Sequence, residues 1–138
     1  MEHAQVLLHT KIFELLSADE DLRSLLRGSN RVFDFVPDNQ PKPYVALGTP
    51  IFEPFGSHTF DGFEIVFPIH AFAESSGRRD AQKLASRIFT LLHNADLEID
   101  GFETVVCEEA LSQVEKEDDG KTHHALMQYR IILGGNHR

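Results

Sequence analysis

The chain has 138 residues, 41% of them hydrophobic and 25% charged, with a formal net charge of −9. That length suits one domain over 1–138 with a single substantial core, and the acidic balance argues against a broad basic surface for DNA phosphates. No apolar run approaches the about 18 residues of a membrane span, and a lone Cys107 leaves no partner for an intrachain disulfide.

The start Met1-Glu2-His3-Ala4-Gln5 lacks the basic start and apolar core of a signal peptide, and the single cysteine is compatible with a reducing compartment. Ala4, Leu8, Ile12, Leu15 and Leu16 predict a first helix over 3–16, its stripe widened by Val6, Leu7 and Phe13. Ser17-Ala18-Asp19-Glu20 has the form of a capping box that stops this helix and starts another. The second, over 19–27, carries Leu22, Leu25 and Leu26 and ends at Gly28, which fits a left-handed cap. A short strand follows at 31–35, and Pro37, Pro41 and Pro43 mark 36–43 as a loop. The next strand, 44–52, has an irregularity at Gly48-Thr49-Pro50, and a polar loop over 53–60 leads to the reversal signal Asp61-Gly62.

The central element is the strand over 63–72. Its odd positions Phe63, Ile65, Phe67, Ile69 and Ala71 are all apolar, while Glu64, Val66, Pro68, His70 and Phe72 are mixed. Alternation sends these sets to opposite faces, one buried and one half-covered. Pro68 cannot donate a ladder hydrogen bond, so a bulge or irregular pairing is expected there. After the turn at 74–79, Ala81, Leu84, Ala85, Ile88, Leu91 and Leu92 predict an amphipathic helix over 81–93, its Leu84, Ile88 and Leu91 packed on Ile65, Phe67 and Ile69. A short strand at 97–99 turns at Asp100-Gly101 into a long strand over 102–117, bulged or bent at Glu108-Glu109. A turn at 117–120 returns the chain as a strand over 123–133, with 134–138 a frayed tail. The expected class is α/β (α+β): a single mixed or antiparallel sheet with helices packed on it, in the order α-α-β-β-β-α-β-β-β.

Chemistry is sparse. Histidines stand at 3, 9, 58, 70, 93, 123, 124 and 137, with no pair at zinc-site or helical i, i+4 spacing, and His123 and His124 fall on opposite strand faces. No metal site is expected. Cys107 follows Val105-Val106 in a strand and reads as a small core hydrophobe, not a nucleophile. Glu108-Glu109 and Glu117-Asp118-Asp119 read as solvated carboxylates, the second group lacking the ligand spacing of a calcium loop. No catalytic, cofactor or phosphate-binding motif is present.

Several stretches in order resemble the tail terminator, or tail completion, proteins of long-tailed phages and prophages. They are Leu25-Leu26-Arg27-Gly28 before Arg31-Val32-Phe33, then Pro43-Tyr44-Val45-Ala46-Leu47-Gly48, Asp61-Gly62 with the strand 65–72, the helix 81–92, and Asp119-Gly120-Lys121-Thr122-His123-His124 leading into Tyr129-Arg130-Ile131. Pro68 departs from the pattern. The resemblance implies a structural, non-enzymatic virion protein without cofactor, which forms a ring, typically a hexamer, at the head-proximal end of the tail. Its implied partners are itself, the tail-tube protein and the head connector, with DNA only passing through the lumen and no membrane. Assembly would take place in the host cytoplasm. The negative charge suits a surface past which DNA slides.

From the residues, the segment 115–122 has no large apolar side chain, so Glu117, Asp118, Asp119 and Lys121 form a candidate interface that adds little to the core. The rival expectation is a small-molecule-binding α/β domain, or an enzyme with an unrecognised site, with a pocket near Glu64 and His70; a third is a cytoplasmic adaptor that binds as a dimer.

Overall fold

The computed structural model describes residues 2–56, 61–75 and 77–135. In α1 (Glu2–Ala18) every fourth residue, Ala4, Leu8, Ile12 and Leu16, is buried to 1% exposure or less. This is the i, i+4 seam of a helix lying on a core. The helix α2 (Glu20–Leu25) begins at Asp19, whose carboxylate accepts from the Leu22 amide at 2.8 Å. Asp19 is thus the N-cap rather than Ser17, because it sits one residue before the first helical turn and reaches its free amides. The same carboxylate takes two bonds of 2.8 Å from Arg87. Those Arg87 bonds, ahead of the Leu22 bond, hold its pKa below the ordinary carboxylate value against the opposing effect of burial. The end of α2 is a Schellman turn: Gly28 N–H reaches Arg23 O at 2.9 Å and Arg27 N–H reaches Ser24 O at 3.2 Å. Arg27 itself, at φ 65, takes the first left-handed position, with Gly28 following at φ 75.

Six strands form one mixed sheet: β1 (Val32–Phe33), β2 (Tyr44–Leu47), β3 (Ile51–Gly56), β4 (Asp61–Glu74), β5 (Phe102–Lys116) and β6 (Thr122–Gly135). The path is β1-β2-β4-β6-β5, with β3 also on β4; β1 and β2 run parallel and every other pair antiparallel. The α+β class expected from the sequence therefore holds, with the observed order α-α-β-β-β-β-α-β-β.

Two differences produce that order. First, the expected strand 44–52 is two strands, β2 and β3, laid end to end along one edge of β4. Pro68 explains the break. β4 runs against β6 in unbroken register from Gly62 to Glu74, so β4 carries no bulge. Gly48 N–H donates to Pro68 O at 2.8 Å, so the missing Pro68 N–H faces the same side, where β2 has ended and β3 has not begun. A side chain at Gly48 would strike the Pro68 ring. β3 also takes residues 53–56 from the expected 53–60 loop; 57–60 lie outside the described residues. Second, 97–99 is not a strand. Leu97 and Ile99 are buried as the alternation suggests, but Glu98 at φ 50 breaks the extended backbone. The bend expected near Glu108-Glu109 is a register shift between Glu109 and Leu111, and a second shift lies between Thr104 and Val106. β6 continues through Gly135; the rest of the expected frayed tail, 136–138, lies outside the described residues.

The helix α3 (Arg79–Leu92) contacts β4, β5 and β6. Its Ala81, Leu84, Ile88 and Leu92 are buried to 1% or less, as are Ile65, Phe67, Ile69, Met127, Tyr129 and Ile131 on the sheet. Leu91 is only half-buried, at the edge of the expected stripe. Among the described residues the three helices lie on this one face, and none is long and apolar enough to cross a membrane.

Candidate assembly surface

Alternation sends the other half of each strand to the opposite face, over which none of the described helices packs. Register brings two clusters together there. Toward the β5 side, Arg130 stands between two carboxylates: its Nε donates to Glu64 Oε2 at 2.7 Å and its Nη1 to Glu108 Oε1 at 3.2 Å. The Glu64 bond is the first cause of the raised Arg130 pKa. Across β2, β4 and β6, rings stack in a row. The centroids of Tyr44 and Phe72 lie 4.9 Å apart, those of Phe72 and His124 4.4 Å, and those of His124 and His70 4.9 Å. His70 Nδ1 and His124 Nε2 approach to 2.7 Å, so one of these nitrogens carries the shared proton and the other accepts it. Burial, and then the neighbouring His124, push the His70 pKa below the usual histidine value. His124 Nδ1 faces Glu117 Oε1 at 3.4 Å.

The residues singled out in the sequence separate. Glu64 and His70 share this face but belong to different clusters, one serving Arg130 and the other His124. His123 and His124 point to opposite faces as expected, His123 being buried. Among the described residues no group of three or more His, Cys, Asp or Glu is placed to hold a metal ion; His58 and His137 lie outside them. Cys107 is buried, and burial pushes its thiol up to about 11, so it stays protonated at neutral pH.

The β5–β6 turn is fastened to the body. Asp119 accepts from Lys121 N at 3.0 Å, Thr122 N at 2.8 Å and Thr122 Oγ1 at 2.5 Å. These bonds, the Thr122 hydroxyl first, pull its pKa down to about 2. Lys121 Nζ lies 3.5 Å from Glu74, and Lys121 O accepts from Ser75 N at 3.1 Å. The expectation of an isolated tip therefore needs correction at Asp119, which organises the turn. Glu117, Asp118 and Lys121 keep exposed side chains. Sequence reading missed Arg130, Glu108, Tyr44 and His124 as members of these clusters. Their signal, polar and aromatic residues at alternate strand positions, is present, but pairing them requires the cross-strand register.

A mixed sheet that is helix-covered on one side and carries charged and aromatic rows on the other defines a two-layer α+β domain. The family model described as "Tail completion protein gp17" matches residues 10–134, and the chain belongs to that family. It is 28% identical over 117 residues to the tail completion protein gp17 of Bacillus phage SPP1, covering 85% of this chain and 87% of the relative. The solved structure of bacteriophage SPP1 gp17 superposes with a TM-score of 0.64 at 26% identity, covering 97% of this chain and 92% of that one. A chain from the virion of a native gene transfer agent particle superposes with a higher TM-score of 0.79, at 22% identity over 90% and 92% of the two chains. The chain is thus a phage-type tail completion protein, a structural component of a virion.

Proposed function

We propose that this protein caps the tail tube as a ring of identical subunits, a hexamer in the assembled particle, and joins the tail to the head connector. Family membership over 10–134 is the observation that carries this reading. The uncovered sheet face supports it, since a stable subunit contact needs about 1,000 Å² or more of complementary surface. The chain acts as one domain at the head-proximal end of the virion after assembly in the host cytoplasm. Its partners are its own copies, the tail-tube protein and the connector. Glu117, Asp118 and Lys121 extend the turn toward a neighbouring subunit or the tube, with Asp119 fixing their frame. DNA only passes through the lumen, where negative charge prevents phosphate contacts from slowing it. No catalytic residue, cofactor or membrane has a part.

The test is removal of the chain from its producing system. Unjoined heads and tails by electron microscopy are expected, with restoration by the wild-type protein; normally joined particles without the chain would sink this function. Particle-size measurement tests the competing ligand-binding or adaptor reading, because a monomeric ligand-binding domain predicts no ring.

A further inference from the structure

We propose that the half of β5 beyond its bulge is a strand-addition site, which receives an extended acidic arm of another virion protein in the groove between β5 and α3. This rests on the virion role proposed above and adds a partner of stated chemistry to it.

The edges of the sheet are treated differently. In an antiparallel ladder, backbone groups alternate between the two sides of a strand. Gly48 N–H meeting Pro68 O fixes the even residues of β4 toward β2 and β3. Carried through the registers, this turns Phe52, Pro54 and Gly56 of β3 outward, and Cys107, Glu109, Ser112, Val114 and Lys116 of β5 outward. Pro54 has no N–H to offer, which blunts the β3 edge. The first half of the β5 edge is already occupied, since Asn94 N donates to Cys107 O at 2.7 Å and Glu109 N meets His93 Nδ1 at 3.4 Å. Beyond the bulge, the outward groups of Ser112, Val114 and Lys116 meet no hydrogen-bond partner among the described residues.

A groove of about 390 Å³ runs along this open half, walled by Gln82, Ala85, Ser86 and Phe89 of α3 and floored by Ser112 and Val114. Phe89 is 39% exposed, so it gives the wall an apolar patch beside the polar Gln82 and Ser86. A helix beside a free edge strand is the geometry in which main-chain bonds supply affinity and alternate side chains supply specificity. Charge selects the occupant at one end of the groove, since the Glu109 carboxylate that also lines it lies at the other end and accepts from Tyr129 Oη at 3.2 Å. Arg78 lines the groove and Lys116 stands at the same end of β5, and among the described residues neither has an ion-pair partner. An arm with alternate apolar residues and a carboxylate at that end satisfies both.

The experiment compares amide hydrogen exchange in the isolated protein and in purified joined particles, together with three variants. Exchange at Ser112, Val114 and Lys116 should slow by about tenfold or more in particles. Ser112→Pro removes an outward donor that the fold does not use, so it should melt near wild type yet lose most joined particles, while Ser112→Ala should give the wild-type yield. Arg78→Glu should lower the yield without moving the melt, and it decides the matter together with exchange if the proline variant fails to fold. Unchanged exchange in particles, or wild-type yield from Ser112→Pro, overturns the site. So does the same slowing in the purified protein assembled alone, which would make a second copy the occupant. All of these leave the proposed function standing, since that fails only if particles lacking the chain join normally.

Discussion

The two faces of the sheet are built from the same strands and do opposite things. On the helix side, Phe67, Tyr129, Ile65, Ile131, Leu84 and Ile88 are fully buried, so every methylene there is coupled to its neighbours. On the open side, Arg130, His70, His124 and Phe72 are only half-buried, and hydrogen bonds and ring stacking replace close packing. The first face holds the fold. The second is arranged as a surface, where partly exposed ion pairs contribute little to stability and more to the register of contacts.

The sharpest way to break this contrast is to cut the covered face. Ile88→Ala should cost about 2–5 kcal/mol in denaturant unfolding, as for buried aliphatics; a loss of less than half a kcal/mol would show that α3 is not core. Next in size is Gly62→Ala, where a Cβ would land on the Leu133 carbonyl of the paired strand. Separating β4 from β6 there should cost about 1–3 kcal/mol by the same measurement. On the open face, Arg130→Met should shift the melt much less than Ile88→Ala while reducing joined-particle yield. Equal losses of stability at both sites would erase the distinction between the faces.

The pH dependence probes the histidine pair. Because the His70 pKa is depressed in the fold, protons bind the unfolded chain more readily. Its contribution is present above the ordinary histidine value of about 6.5 and is lost as pH falls below it. The melting temperature should therefore drop modestly from pH 7 to pH 5, and His70→Gln should flatten that part of the profile. A wild-type profile already flat over that range would show that the His70 pKa is not depressed in the fold. Smallest of all, Asp118→Lys should leave stability within about half a kcal/mol, whereas Asp119→Ala should lower the melt visibly because three donors lose their acceptor. Identical melts for the two variants would return Asp119 to the status of a solvated carboxylate.

Much of the covered face was legible in advance. The odd positions 63–71 and the stripe of α3 each carry their own periodicity, and local spacing is all that an amphipathic strand or helix needs. The resemblance likewise named a family that the comparison over 10–134 then showed. The open face was legible only as a composition, a row of mixed residues on one strand. Nothing in the order of residues says that Arg130 falls between Glu64 and Glu108, because those three are brought together from separate strands by register alone.

What the sequence determined by itself is the class of fold, the helix stripes, the buried side of β4 and β6, and the turns, since each follows from propensity and periodicity within a few neighbouring residues. Tertiary structure decided the rest. It split residues 44–56 into two strands at the place where Pro68 offers no N–H, and denied 97–99 a ladder through the left-handed Glu98. It also left one half of one edge strand unpaired among the described residues. Those outcomes depend on which strand lies beside which, and backbone hydrogen bonding between distant segments settles that question only after the chain has closed on itself.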